Sequence, residues 1–305
     1  MPEKKTADVR VGSQTISIIL ILLAAVCWGV IGVFSRALSD AGAAPIQITA
    51  VRCAVTAVLL VGYMLIFNRS LLRVRVRDLW MFFGTGICSI LFFNVCYFHT
   101  QSVTSLSVAA ILLYTSPFFV MLISAVVFRE RITPTKLIAL LVAFGGCVLI
   151  TGVLGGAQTV PLTAILTGVG SGLGYGLYSI FGKLALRRYD IITVTAYTFL
   201  FAAAGSIPFS NPSQVAGLVT DTPYVALNAL LLGVLCTLVP FVLYTKGLSG
   251  IESGKASVVA YAEPVVATLT GAIVFGETVT WEKIAGVLLV MLAIILLSRK
   301  GRTTE

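Results

Sequence analysis

Ten runs of apolar residues, joined by short connections, decide most of what this chain can fold into. They lie at about 16–38, 45–67, 78–98, 104–128, 135–153, 162–185, 191–209, 223–246, 254–276 and 282–298. At about 1.5 Å per residue, most of them reach across the roughly 30 Å hydrocarbon core of a bilayer. Inside lipid every backbone N–H and C=O must be satisfied within the segment, which leaves the helix as the form such runs can take. The expected fold class is all-α integral membrane, with ten transmembrane helices. Composition agrees: 58% of the 305 residues are hydrophobic and 11% are charged, a balance no soluble domain of this length carries.

The net charge of +9 would suggest nucleic acid in a soluble protein. Here the basic residues fall in short loops and tails, so no nucleic-acid partner is expected. Arg69, Arg73, Arg75 and Arg77 follow the second run, Arg129, Arg131 and Lys136 the fourth, and Lys183, Arg187 and Arg188 the sixth. Lys246 and Lys255 flank the loop after the eighth. Residues 1–15 (Lys4, Lys5, Arg10) and 299–305 (Arg299, Lys300, Arg302) are basic tails, whereas the alternate loops are nearly free of Lys and Arg and Leu154 to Val160 has none. The positive-inside rule then puts both termini in the cytoplasm, on a multi-pass protein of the plasma (inner) membrane. The first run continues to about Leu38, too long for the core of a signal peptide. Cys27, Cys53, Cys88, Cys96, Cys147 and Cys236 all lie inside apolar runs without metal-ligand spacing, and read as small hydrophobes.

The two halves repeat with an offset of 147 residues. Tyr114-Thr115-Ser116-Pro117 aligns with Tyr261-Ala262-Glu263-Pro264, and Trp28-Gly29 with Tyr175-Gly176. Arg36 aligns with Lys183, Tyr97 with Tyr244, and Phe128-Arg129-Glu130 with Phe275-Gly276-Glu277. One ungapped register of this length marks a duplication, with repeats at 16–153 and 162–298. Each half has five helices, an odd number, so the second enters the membrane inverted. Inverted repeats place a substrate site at the midplane between them and let them rock around it.

Glu263 is the acidic residue nearest the middle of any run. A carboxylate at that depth costs several kcal/mol unless it is paired, protonated or facing water. The adjacent Pro264 removes a helix hydrogen bond and frees carbonyls around it. Glu263 is therefore the candidate for proton coupling or for a substrate counter-ion, against the plainer reading of a protonated, hydrogen-bonded structural group. Ser171, Tyr175 and Tyr178 share one face of the sixth helix, and Trp28 stands on the first. Tyr114 and Tyr261 each precede a proline by three residues. These side chains can line a substrate cavity, or simply pack between helices. Asn94, Tyr97 and Gln101 form a polar stripe that must face protein or water, with substrate contact and interhelical hydrogen bonding equally open. His99, the one histidine, lies off this stripe and reads as a surface residue.

Arg52, about seven residues into the second helix, can snorkel to the surface, or pair with Glu263 or a substrate carboxylate. Glu130 and Glu277 follow helix ends and read as structural, with Thr133 and Thr280 as N-caps. Gly168, Gly172 and Gly176 make a small-xxx-small packing face.

The paired Tyr-x-x-Pro helices, each running on to Phe-x-Glu and a threonine, together with Trp28-Gly29 and Arg52, resemble the EamA family of the drug/metabolite transporter superfamily. The resemblance spans about 16–298 and implies ten helices in two inverted halves and transport of small metabolites, with many members exporting amino acids or related compounds. The chain therefore reads as a secondary transporter of a small metabolite, most simply an amino-acid exporter working by alternating access. An organic-cation carrier of the choline type is the alternative, since a midplane glutamate among aromatic rings suits a quaternary amine. A membrane-embedded enzyme finds no support in motifs: there is no H-E-x-x-H, G-x-S-x-G or paired-carboxylate site. A channel would need a polar lining throughout its pore. Expected substrate-binding residues are Trp28, Asn94, Tyr97, Tyr114, Ser171, Tyr175, Tyr178, Tyr261 and Glu263, with Glu263 also the coupling candidate. No cofactor or metal is expected. The partners are a small-molecule substrate and the lipid bilayer, with transport driven either by protons or by the substrate's own gradient, and with monomer and homodimer both left open.

Overall fold

The computed structural model of the protein describes residues 3–153 and 160–298, with backbone alone for residues 3–13 and Asp221. Parts of both tails and of the uncharged loop Leu154 to Val160 lie outside the described residues. Within them every regular element is helical. Ten helices are long and apolar enough to cross a membrane: α1 (Gln14–Asp40), α2 (Pro45–Phe67), α3 (Val76–Val103), α4 (Leu106–Val127), α5 (Pro134–Thr151), α6 (Leu162–Ala185), α7 (Ile191–Ser210), α8 (Pro223–Gly250), α9 (Ser253–Phe275) and α10 (Trp281–Ser298). Most ends fall within two residues of the apolar runs. Helices α3 and α8 continue a turn further, because polar ends such as Thr100-Gln101 and Gly247-Leu248-Ser249 stay helical beyond the apolar stretch. A short helix, Pro212–Asp221, joins α7 to α8 and is too short and polar to register as a span. Its Val215 and Val219 rest on a cluster holding Leu38, Ile48 and Val51, and its Gln214 accepts a hydrogen bond from Gln47 at 2.9 Å.

The packing pattern is unchanged when the halves are exchanged. Helix α5 lies against α10 and α2 against α7, while α1 packs on α8 and α9 as α6 packs on α3 and α4. The α5–α10 seam is set by Gly146 and Gly286. A Cβ added to Gly286 would stand 2.5 Å from the Gly146 carbonyl oxygen, so only glycine lets these helices come so close. Their repeat mates Ala293 and Ala139 are fully buried in the same seam. Gly168 and Gly172 likewise press α6 onto Leu112 and Thr115 of α4.

Irregular backbone is also repeated. Helices α4 and α9 break and restart near mid-length, as Leu106–Leu113 then Ser116–Val127, and Ser253–Val259 then Ala262–Phe275. Helices α3 and α8 each widen into π-helical turns, Gly84–Leu91 and Val234–Leu238. Helix α1 breaks at Val30, and its mate α6 does not. Thr133 caps α5 by accepting the Lys136 N–H, with Pro134 in the first turn, as its sequence suggested. All six cysteines are free thiols.

Candidate functional site

The broken helices meet at the repeat axis. The Tyr261 hydroxyl donates to the carbonyl of its own mate, Tyr114, and the two rings cross edge to face at 5.9 Å. Each break leaves a helix N-terminus facing the middle of the bundle. In α9 that terminus carries Glu263 in its first turn, where free N–H groups and the helix dipole favour a carboxylate, and Pro264 loses no needed hydrogen bond there. Glu263 is half-buried and accepts a hydrogen bond from the Tyr175 hydroxyl at 3.2 Å. Its mate in α4 is Ser116, buried and neutral.

A cleft beside this carboxylate is lined by Trp28, Ser89, Ile90, Phe93, Tyr175 and Tyr178, with Ser179, Phe241 and Tyr244. Trp28 touches its mate Tyr175 edge-on at 6.5 Å and packs on Phe241 at 5.2 Å. Tyr178 and Phe199 close in on Phe241 at 5.0 and 4.9 Å. Two hydroxyls in this floor are already engaged, Tyr178 with Thr245 at 2.6 Å and Tyr244 with Ser179 at 2.8 Å. The floor is therefore tight and self-satisfied, while Glu263, Tyr97, Tyr114 and Tyr175 keep accessible surface above it.

Of the residues singled out from sequence, the structure gathers Trp28, Tyr97, Tyr114, Tyr175, Tyr178, Tyr261 and Glu263 around this point. Asn94, on the helix that brings Ile90 and Phe93 to the cleft, is turned instead to α2, its amide spent on the Ile90 carbonyl at 2.7 Å and its oxygen accepting from Thr49 at 3.1 Å. Ser171 is not brought to the cleft: it has no accessible surface and donates to the Gly168 carbonyl one turn back. Arg52 does not snorkel; it is 8% exposed, and its charge lies within electrostatic reach of Glu263 and Tyr175. Sequence reasoning passed over Phe93, Phe199 and Phe241. The repeat offset could have found the last two, since they are the mates of Arg52 and Asn94: one half presents polar groups where the other presents rings.

The EamA-like transporter family matches residues 15–152 and, a second time, 162–299. The chain belongs to the EamA-like transporter family. An uncharacterized transporter of Archaeoglobus fulgidus is 30% identical over 75% of this chain and 80% of its own length. The transporter YwfM of Bacillus subtilis is 24% identical over 94% of this chain and 96% of its own, and the inner membrane transporter YicL of Salmonella typhimurium is 24% identical over 95% and 98%. A protein crystal structure at 18% identity superposes with a TM-score of 0.76 over 92% of this chain and 95% of that one, which shows the shared fold. The protein is thus a multi-pass membrane transporter and not an enzyme.

The two ends of this EamA transporter differ. At the end holding the α4–α5 connection, the Glu130 carboxylate takes the Lys183 ammonium at 3.0 Å and caps the start of α9 through the Ser253 and Gly254 N–H groups at 2.9 and 3.3 Å. Burial pushes the Glu130 carboxyl up, but these donors outweigh it and hold it below its ordinary 4.5. Lys183 also donates to the Ile251 carbonyl at 2.8 Å, sealing α6 to the α8–α9 turn. Among the described residues the mate carboxylate, Glu277, pairs only with Lys283 of its own half, at 3.6 Å. Mate positions at the two ends follow suit: Leu106 is 58% exposed where Ser253 has no exposure, and Tyr97 is half-buried where Tyr244 is buried. The Glu130 end is thus the more closely joined of the two.

Proposed function

We propose that this transporter exports amino acids or closely related metabolites across the plasma membrane by alternating access around Glu263, with both termini cytoplasmic. The observation that carries the reading is the half-buried carboxylate at the restarting N-terminus of α9, held by Tyr175 above an aromatic floor. A midplane carboxylate with accessible surface is poised for a substrate ammonium or a proton. The Arg and Lys clusters fall at the closely joined Glu130 end, which orients that end to the cytoplasm by the positive-inside rule. On that orientation the state described here is outward-open, the release state of an exporter. The inner membrane name of the relative YicL agrees with the location.

The decisive test is counterflow in proteoliposomes. Labelled amino acids should accumulate against an unlabelled interior pool, and Glu263→Gln should lower the rate by roughly tenfold or more. An imposed pH gradient should change the accumulated level if Glu263 carries the coupling proton; an unchanged level would assign the carboxylate to substrate alone. The ring set of Trp28, Phe93, Tyr175 and Phe241 near Glu263 favours a second reading, an organic-cation carrier. Counterflow of choline with none of any amino acid would establish that reading and remove the first.

A further inference from the structure

We infer that Arg52 holds the carboxylate of the transported molecule, so that the site takes a zwitterion, its ammonium at Glu263 and its carboxylate at Arg52. This rests on the cleft being the substrate site, as proposed above, and adds the group that selects for the second charge.

Arg52 is more than nine-tenths buried, and its Nε has no hydrogen-bond acceptor among the described residues. It forms no ion pair there either; the pairs are Lys136–Glu252, Lys183–Glu130, Arg188–Asp78 and Lys283–Glu277. The polar neighbours on its own helix face are committed elsewhere. Thr49 bonds Asn94, and Thr56 donates to the Gly233 carbonyl at 2.9 Å. A buried guanidinium without an acceptor is costly, and a structural arginine would have been given one. The repeat makes the same point, because the mate of Arg52 is Phe199, fully buried in the aromatic floor. The fold therefore does not need a cation at this position.

A guanidinium presents paired N–H groups in the geometry of a carboxylate, and the match is strongest where water is scarce. Glu263 stands within electrostatic reach of Arg52 but does not pair with it. Two opposite charges held near each other and left unjoined make a slot for a molecule that carries both. An amine without a carboxylate would satisfy Glu263 and leave Arg52 bare. The rings of the floor beneath offer an apolar surface for a side chain to rest on.

The test is a thermal-shift titration of the full-length transporter in detergent with three probes. L-phenylalanine carries both charges, phenylalanine amide the ammonium alone, and 3-phenylpropionate the carboxylate alone. Wild type should be stabilised best by phenylalanine. Arg52→Gln should weaken phenylalanine by about 30-fold or more, the range for removing one partner of a buried charge pair, and leave the amide unchanged. Arg52→Lys keeps the charge and loses the fork, so it should fall between, and it stands in if the glutamine variant does not fold. Phenylalanine binding that survives Arg52→Gln overturns the assignment and leaves the amino-acid reading intact. Equal loss of phenylalanine and the amide also overturns it, since the amide has nothing to offer Arg52. Stabilisation by 3-phenylpropionate alone, abolished in Arg52→Gln, upholds the carboxylate subsite and removes the amino-acid reading. If neither carboxylate probe stabilises the wild type, Arg52 is no such subsite.

Discussion

The two ends of the bundle descend from one ancestral end, yet they are held very differently. At the Glu130 end, the three ion pairs found among the described residues all tie one half to the other: Lys136 to Glu252, Lys183 to Glu130 and Arg188 to Asp78. At the Glu277 end, the one pair among the described residues, Lys283 with Glu277, stays within its own half. The mates explain why. Asp78 aligns with Val225, Arg188 with Ala41, and Glu252 with Ser105, so two of the three locks have no charged counterpart. Only Glu130–Lys183 keeps one, as Glu277 and Arg36. Arg36 instead lies over the Phe275 ring at 4.9 Å, much as Lys183 lies over Phe128 at 5.6 Å. A duplicated chain that locks one end three ways and the other at most one way favours a state shut at the Glu130 end.

Breaking the part both ends share should have the largest effect. Gly286→Leu would drive a side chain into the Gly146 carbonyl and Ile150, and should destabilise the protein by about 3 kcal/mol or more, seen as a lower midpoint with no cleft ligand rescuing it. Next comes Glu130→Ala. It leaves the Lys183 ammonium with the Ile251 carbonyl alone and strands two backbone N–H groups at the start of α9, for about 2–3 kcal/mol. Cysteine-accessibility labelling at Tyr178 in a cysteine-free background should rise from the Glu130 end in this variant. If the label still reaches position 178 only from the Glu277 end, Glu130 is a cap and not a lock.

That asymmetry was only partly legible in the sequence. The ten helices and the inverted register could be read because span length and odd helix number are properties of the pattern itself. The helix restarts could be read at Pro117 and Pro264, since proline leaves an identifiable mark on the backbone. The π-helical turns in α3 and α8 have no such residue, although Gly86 and Gly233 stand at the same offset and each press on the opposite half, at Thr198 and Val55. Glu130 looked like one more helix-end residue because a lock depends on which connections meet in space, and sequence separations of 53 and 123 residues conceal that. Arg52 was ambiguous for a related reason. A long side chain near a helix end can reach water in either direction, and only packing decides which.

A smaller effect sharpens the comparison further. Glu277→Ala removes a half-exposed carboxylate with a single long contact, so the stability should change by less than about 1 kcal/mol. Transport should nonetheless slow if Glu277 and Arg36 take up the mate geometry in the opposite state. In that state Arg36 would reach the Thr104 carbonyl, and Glu277 the N–H groups of Leu106 and Ser107. A double reversal, Arg36→Glu with Glu277→Arg, should recover part of the rate. Unchanged transport in Glu277→Ala would mean that the two ends do not trade equivalent locks.

The smallest effect is a pH dependence confined to one end. The folded protein holds the Glu130 carboxyl below its ordinary 4.5, so it binds the proton less readily than the unfolded chain does. The stability that Glu130 contributes is thus complete above about 4.5 and is lost as pH falls through the lowered folded value. Subtracting the melting midpoint of Glu130→Gln from that of wild type isolates this contribution, because all other carboxylates are common to both. The difference should be flat from about pH 7 down to about pH 5, then shrink toward zero in stronger acid. A difference that already shrinks above pH 5 would mean the carboxyl is held up by burial and not down by its donors, and the Glu130 end would be no more firmly tied than its mate.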